Sequence, residues 1–230
     1  VFAHPDDAEF TSGGTLALLC ARGWDVNVVV TTSGNKGTKD PEVTPQYLAG
    51  IREEEQRRAS AILGTHEPIF LGFPDGYVHD DDELRGLLVR QLRIHRPELV
   101  ITWDGFRPGF NHRDHRVTGL VTLDAVAPAA ANPHYFAEQI AAGLAAHHVD
   151  EVLCSGTLEP DTWVDITGTL DRKGRFHHQY GSPVTDGEAI IDIKTTLAPY
   201  WVAFQTAAYA NFFEHPAKYR RMAVELHDDG

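Results

Sequence analysis

Two short stretches concentrate the residues able to do chemistry. The first, HPDDAEF, follows three apolar residues at the start of the chain; the second, FNHRDH, comes more than a hundred residues later. In the first, His4 and Asp7 are three apart, so one turn aims both at a single point, while Asp6 projects differently and need not meet the same ion. In the second, His112 and His115 have the i, i+3 spacing that sets two side chains on one helix face. Two imidazoles and a carboxylate are one usual donor set for catalytic zinc, whose fourth position is left to water. Ordinary roles stand beside this reading. A histidine at a Pro-Asp turn is commonly a loop residue, and Asp75 in FPDG reads equally as the turn residue of a Pro-Asp-Gly bend. With 13 histidines in 230 residues, any single one carries little weight. What favours chemistry is that both segments fall at the same end of one expected sheet.

The elements that would position them alternate. VFA reads as the end of a buried strand, and SGGTLALLCARG as a helix with Thr11 or Ser12 as N-cap and Gly23 as its stop. A buried strand follows over residues 25–32, then a polar loop, SGNKGTKDPEVTP. Helices are expected over 47–63 (closed by Gly64), 82–95 and 112–126. Between them PIFLGF, ELVITW and EVLCSG read as strands. Such alternation implies parallel strands with right-handed helical crossovers. The expected fold class is α/β: a doubly wound, mostly parallel Rossmann-like sheet with helices on both faces. Ligands collect beyond the carboxyl ends of such strands, which directs attention to HPDDAEF, SGNKG, PDG and DGFRPGFNHRDH. After Gly156 the pattern loosens. WVDIT, AIIDI and an aromatic-rich helix over 204–222 suggest a smaller cap (157–230) on a core of 1–156, within one domain. That closing helix would suit a homo-oligomer interface.

Composition excludes several classes. A net charge of −13 argues against a nucleic-acid surface, which needs clustered Lys and Arg. Runs such as VNVVV are too short to span a bilayer, so no membrane partner is expected. The two cysteines, Cys20 and Cys154, sit in apolar surroundings far apart in sequence and read as reduced core residues of a cytoplasmic protein. The chain starts at Val1 in what reads as mid-strand, so a few preceding residues are expected to be missing.

HPDDAEF followed by GGTLALL, REEEQRRASAILG, LGFPDG and NHRDH resembles the LmbE-like, or PIG-L, family of metal-dependent N-deacetylases, in order from Val1 to about Val126. The resemblance implies that His4, Asp7 and His115 hold the metal, usually zinc, with another divalent ion such as Fe2+ also serving. It makes Asp6 the general base and His112 the stabiliser of the developing oxyanion. It puts Thr11, Arg52 and Asp75 against the sugar. The implied partner is a small N-acetylated amino sugar that loses its acetyl group. The alternatives are an amidase acting on a related sugar-thiol conjugate and a non-hydrolytic sugar binder. The chain departs from the family at Arg113, where relatives commonly have Pro. A later family segment appears only roughly as DRKGRFHHQYGS, which leaves His177 and His178 without a clear role.

Chemistry agrees with these roles. Coordination lowers the pKa of water from about 16 to about 7, and a neighbouring carboxylate can take that proton and pass it to the departing amine. Other readings remain for single residues. Arg52 in IREEEQRR also reads as a partner of Glu55 or Gln56 on a solvated helix face. Trp103 and Phe106 suit either sugar stacking or core packing. Two His and a carboxylate also form the facial triad of iron(II) oxygenases, but the helix-strand alternation does not suit an all-β barrel. A nucleotide-binding module would need a Gly-rich phosphate turn where this chain carries acids.

Overall fold

The computed structural model describes residues 1–169 and 219–223 of the chain. Its strands are short and parallel. β1 (Val29–Thr32) pairs with β2 (Ile69–Phe73). β3 (Leu99–Trp103) pairs with β4 (Glu151–Ser155) in an unbroken register from Leu99↔Glu151 to Trp103↔Ser155. β6 (Tyr219–Ala223) lies between β4 and β5 (Thr162–Trp163), parallel to both. VFA makes only a bridge, Phe2↔Val30, yet it is bonded on two sides. Phe2 N donates to Val29 O (2.9 Å) and Thr32 N to Ala3 O (2.9 Å), while Val1 N donates to Ile101 O (2.7 Å).

Alternate residues of these strands feed two cores, as a period of two requires when both faces are covered. Val29, Val100 and Val152 pack with Leu88, Leu92, Val117 and Val121 from α3 (Asp82–His95) and α4 (Arg113–Asp124). Val30, Ile101 and Leu153 pack with Leu16 and Ala17 of α1 (Asp7–Ala21) and Leu63 of α2 (Pro45–Leu63). Val164 and Ile166 join the α1 side. A β-carbon on Gly14 would stand 2.3 Å from Ile166, so α1 needs glycine there for the chain to pass over it.

Helix ends follow local chemistry. Thr44 Oγ1 caps α2, Pro45 opens it, and Gly64 closes it with a left-handed φ of 90°. Asp81 caps α3 through Leu84 N. The expected N-cap of α1 at Thr11 or Ser12 is corrected: the helix starts at Asp7, with Asp6 as N-cap residue. The reason is that Thr11 Oγ1 turns back onto Asp7 O (2.8 Å), so its hydroxyl is satisfied inside a helix that the HPDD turn has already begun. The helix expected to reach residue 126 ends at Asp124, and Ala127, the residue before Pro128, is extended. Residues 219–222, expected to close a helix, lie in β6; the rest of that helix, AIIDI, His177 and His178 lie outside the described residues. Cys20 and Cys154 are not joined in a disulfide. No described helix is long and apolar enough to cross a membrane.

Candidate metal centre

The chain leaves the Val1–Ala3 segment at His4 and enters α1 at Asp7, so the turn between them sits at the carboxyl edge of the strands. Asp7 closes that turn: its Oδ2 accepts the backbone N–H groups of Ala3 (3.1 Å) and His4 (2.9 Å). Its Oδ1 then lies 3.0 Å from His115 Nε2 in the first turn of α4. The ring of Trp103, at the end of β3, backs His115 at 3.9 Å between centroids. Trp103 Nε1 also donates to Asn111 Oδ1 (2.9 Å), and Asn111 Nδ2 to Asp104 O (3.1 Å), so the loop leading to α4 is tied at its base.

His4 Nδ1 stands 3.1 Å from His115 Nε2 and 3.5 Å from Asp7 Oδ2, the other oxygen of the same carboxylate, so the three side chains converge. A tetrahedral zinc with bonds of about 2.0–2.2 Å separates its ligand atoms by roughly 3.3–3.6 Å, and each pairwise approach here, through one or the other Asp7 oxygen, lies within a few tenths of an ångström of that spacing. A ring nitrogen of His112 also lies within 4.8 Å of nitrogens of His4 and His115.

The far side of His4 faces carboxylates. Its Nε2 stands 3.2 Å from Asp114 Oδ2 and 3.2 Å from Asp75 Oδ1. A proton on Nε2 is thereby favoured, leaving the Nδ1 lone pair to face Asp7 and His115, the arrangement in which a carboxylate orients a metal-binding histidine. Without a cation, burial works against charge on His4, but hydrogen bonds to Asp114, Asp7 and Asp75 outweigh it and hold the imidazolium up to a pKa of about 12. Burial would raise Asp7, yet hydrogen bonds from His115 and His4 hold it well below the usual carboxylate range. Asp75 and Asp114 are lowered as well: burial opposes the charge and His4 overcomes it. Three carboxylates around these imidazoles leave an excess of negative charge, which suits a divalent cation.

The remaining expected residues fall around this centre. Asp6 has φ 106° and ψ −28°, a left-handed conformation costing a non-glycine residue about 1–3 kcal/mol. Its Oδ2 accepts from Arg52 Nη2 (2.9 Å). Arg52 is buried, and besides Asp6 it holds Pro5 O (2.6 Å) and approaches Glu55 at 3.6 Å. His112 is the N-cap residue of α4, and its Nδ1 accepts from Asp114 N (3.2 Å), which leaves the proton on Nε2. Burial, then the charges of His4 and His115, lower its pKa, so this imidazole is neutral at neutral pH. Asp75 faces His4, with its backbone N–H on Asn35 Oδ1 (3.2 Å) and its Oδ2 taken by Lys36 N (3.2 Å). Thr11 is buried between Asp7 O and Ser155 Oγ.

Sequence reasoning missed Asp114 and Gln56. Asp114 is 0% exposed and accepts from Gly76 N (2.5 Å), Val78 N (3.3 Å) and His4 Nε2. Its position inside HRDH was the available signal. Gln56 is 2% exposed, although IREEEQRR reads as a solvated charge run.

Among protein families, the model described as PIG-L, GlcNAc-PI de-N-acetylase, matches residues 1–126. The chain is 35% identical over 172 residues to diacetylchitobiose deacetylase of Thermococcus kodakarensis, covering 75% of this chain and 64% of that protein. It is 37% identical over 151 residues to a 1D-myo-inositol 2-acetamido-2-deoxy-alpha-D-glucopyranoside deacetylase of a Mycobacterium species, covering 55% of this chain and 48% of that one. The fold superposes on N,N'-diacetylchitobiose deacetylase from Pyrococcus horikoshii with a TM-score of 0.72 and 30% identity, over 75% of this chain and 64% of the other. The chain thus spans about half to two thirds of the length of these relatives.

Proposed function

This chain belongs to the PIG-L family of de-N-acetylases, and from that premise we propose that it is a metal-dependent N-deacetylase acting on an N-acetylglucosamine-type sugar. The observation that carries the reading is the convergence of His4, Asp7 and His115 with Asp6 beside them. His4, Asp7 and His115 would hold the ion, which we take to be zinc. A bound zinc would supply Lewis acidity, polarising the amide oxygen and making water easier to deprotonate. Asp6 takes a proton as water oxygen adds to the acetyl carbon, and the Arg52 guanidinium keeps its carboxylate in place. The Nε2–H of His112 donates to the oxygen that gains negative charge, a contact whose removal typically costs about 10²–10³-fold in rate. The C–N bond then breaks, the proton from Asp6 goes to the amine nitrogen, and acetate and the free amino sugar leave. Arg52, Asp75 and Thr11 are proposed to border the sugar subsite.

The same reading takes the two sheets as one doubly wound Rossmann-like sheet, supported by the hydrogen bonds that Val1–Ala3 makes to β1 on one side and Ile101 on the other. Two cysteines that form no disulfide with each other support a reducing, cytoplasmic setting. The test is release of free amine from N-acetylglucosamine, diacetylchitobiose and N-acetylglucosaminyl-inositol, with and without a chelator. Chelator-sensitive release from at least one is expected. No release from any of them by zinc-loaded protein would reject the reading.

A further inference from the structure

The strained residue beside the metal centre is held from behind. The peptide group joining Pro5 to Asp6 is gripped at both of its polar atoms by one face of α2. Its carbonyl, Pro5 O, accepts from Arg52 Nη2 at 2.6 Å, and its N–H, on Asp6, donates to Gln56 Oε1 at 3.0 Å. Arg52 and Gln56 are four apart and so project from the same side of the helix. Gln56 is in turn held by Glu9 of α1: Gln56 Nε2 donates to Glu9 Oε1 at 2.5 Å. A carboxylate only accepts, so Glu9 selects the amide orientation that turns Gln56 Oε1 toward Asp6; the flipped amide would set its NH2 against the Asp6 N–H. Glu9 is 1% exposed and Gln56 2%, so this chain of bonds is shielded from water that would loosen it.

We propose that Gln56 and Glu9 are positioning residues that lock the Pro5–Asp6 peptide plane, holding Asp6 in its left-handed conformation and its carboxylate in line with the reacting centre. Neither side chain needs to touch substrate or metal. Glu9 sets the amide of Gln56, Gln56 sets the peptide, and the peptide sets Asp6. The consequence for turnover rests on Asp6 being the proton carrier proposed above; the lock itself does not.

The variants are Gln56→Met, which keeps side-chain length without an acceptor, Glu9→Ala and Glu9→Gln. In zinc-loaded protein, Gln56→Met and Glu9→Ala are expected to lower kcat by roughly 10–100-fold, since about 1 Å of misplacement costs about 100-fold. KM should stay within about three-fold and zinc content should not change. Glu9→Gln still offers Gln56 an acceptor oxygen and should recover most of what Glu9→Ala loses, which generic loosening of the core would not produce. Amide hydrogen exchange at Asp6, read by NMR on the same zinc-loaded proteins, measures the lock without turnover. It should quicken by about ten-fold or more in Gln56→Met and in Glu9→Ala, while core amides in β3 hold their rates. Unchanged Asp6 exchange in both variants overturns the lock. So does a loss of turnover that merely follows lost zinc. A wild-type protein that releases no amine from any substrate defeats the functional reading alone, and the exchange experiment then still decides the lock.

Discussion

Asp114→Asn isolates how this centre holds its first histidine. Asp114 accepts three donors with two oxygens, Gly76 N (2.5 Å) and His4 Nε2 (3.2 Å) on Oδ2 and Val78 N (3.3 Å) on Oδ1, and none of it meets solvent. An asparagine there has one acceptor oxygen and one NH2. Whichever way the amide turns, its NH2 faces a backbone N–H, so one hydrogen bond is lost and a buried donor is left opposite a donor, at a cost of about 1–3 kcal/mol. The better orientation keeps oxygen toward Gly76 and His4, but as a neutral acceptor. His4 retains Asp75 at 3.2 Å, so its orientation is weakened rather than abolished. Loss of such an outer partner lowers metal affinity by about 10–100-fold, or roughly 1.4–2.7 kcal/mol. Zinc competition against a chromophoric chelator, with urea unfolding of the metal-free variant beside it, measures both quantities. A zinc Kd within two-fold of wild type in a folded variant would refute the view that Asp114 orients His4.

Removing the two kinds of site residue should separate binding from turnover. Asp6→Ala is expected to keep zinc and lose amine release, whereas His115→Ala should lose zinc itself; full activity in Asp6→Ala would refute its assignment as the base. The metal-free protein should also depend on pH in a defined way. His4, raised from its ordinary 6.5 to about 12, contributes stability that is fully present below pH 6.5 and drains away as pH climbs toward 12. Asp7, Asp75 and Asp114, all lowered from 3.8, contribute stability present above that value and lost as pH falls through their folded pKa values. His112, lowered from 6.5, works the other way below that value, where the unfolded chain takes up a proton that the native imidazole resists. The urea midpoint of chelator-treated protein should therefore fall as pH drops below about 4 and fall again as it climbs above about 8; a midpoint that rises steadily from about pH 8 to 10 would contradict the cluster's electrostatics.

What was legible and what was not divides along the range of the interactions. The α2 and α3 boundaries could be read because Thr44, Gly64 and Asp81 act on backbone within a few residues of themselves. Thr11 and Ser12 misled because a hydroxyl satisfies itself at an N-cap or on a carbonyl four residues back, and the HPDD turn decides which. Tyr219–Ala223 is a strand because β4 and β5 stand ready to pair on both sides, a circumstance that local propensity does not register.

The sequence alone determined the donor types and their local geometry: His4 with Asp7, His112 with His115, and an apolar strand end to carry each pair. Those facts depend on spacing along a few bonds. Only the tertiary structure decided that Asp7 turns toward His115 while Asp6 turns toward Arg52, that Asp75 and Asp114 face the back of His4, and that a glutamine in a charge-rich helix is buried against Asp6. Each of these contacts joins segments brought together by strand-to-helix crossovers. Their distances are fixed by how the helices pack on the strands, and no pattern within either segment encodes them.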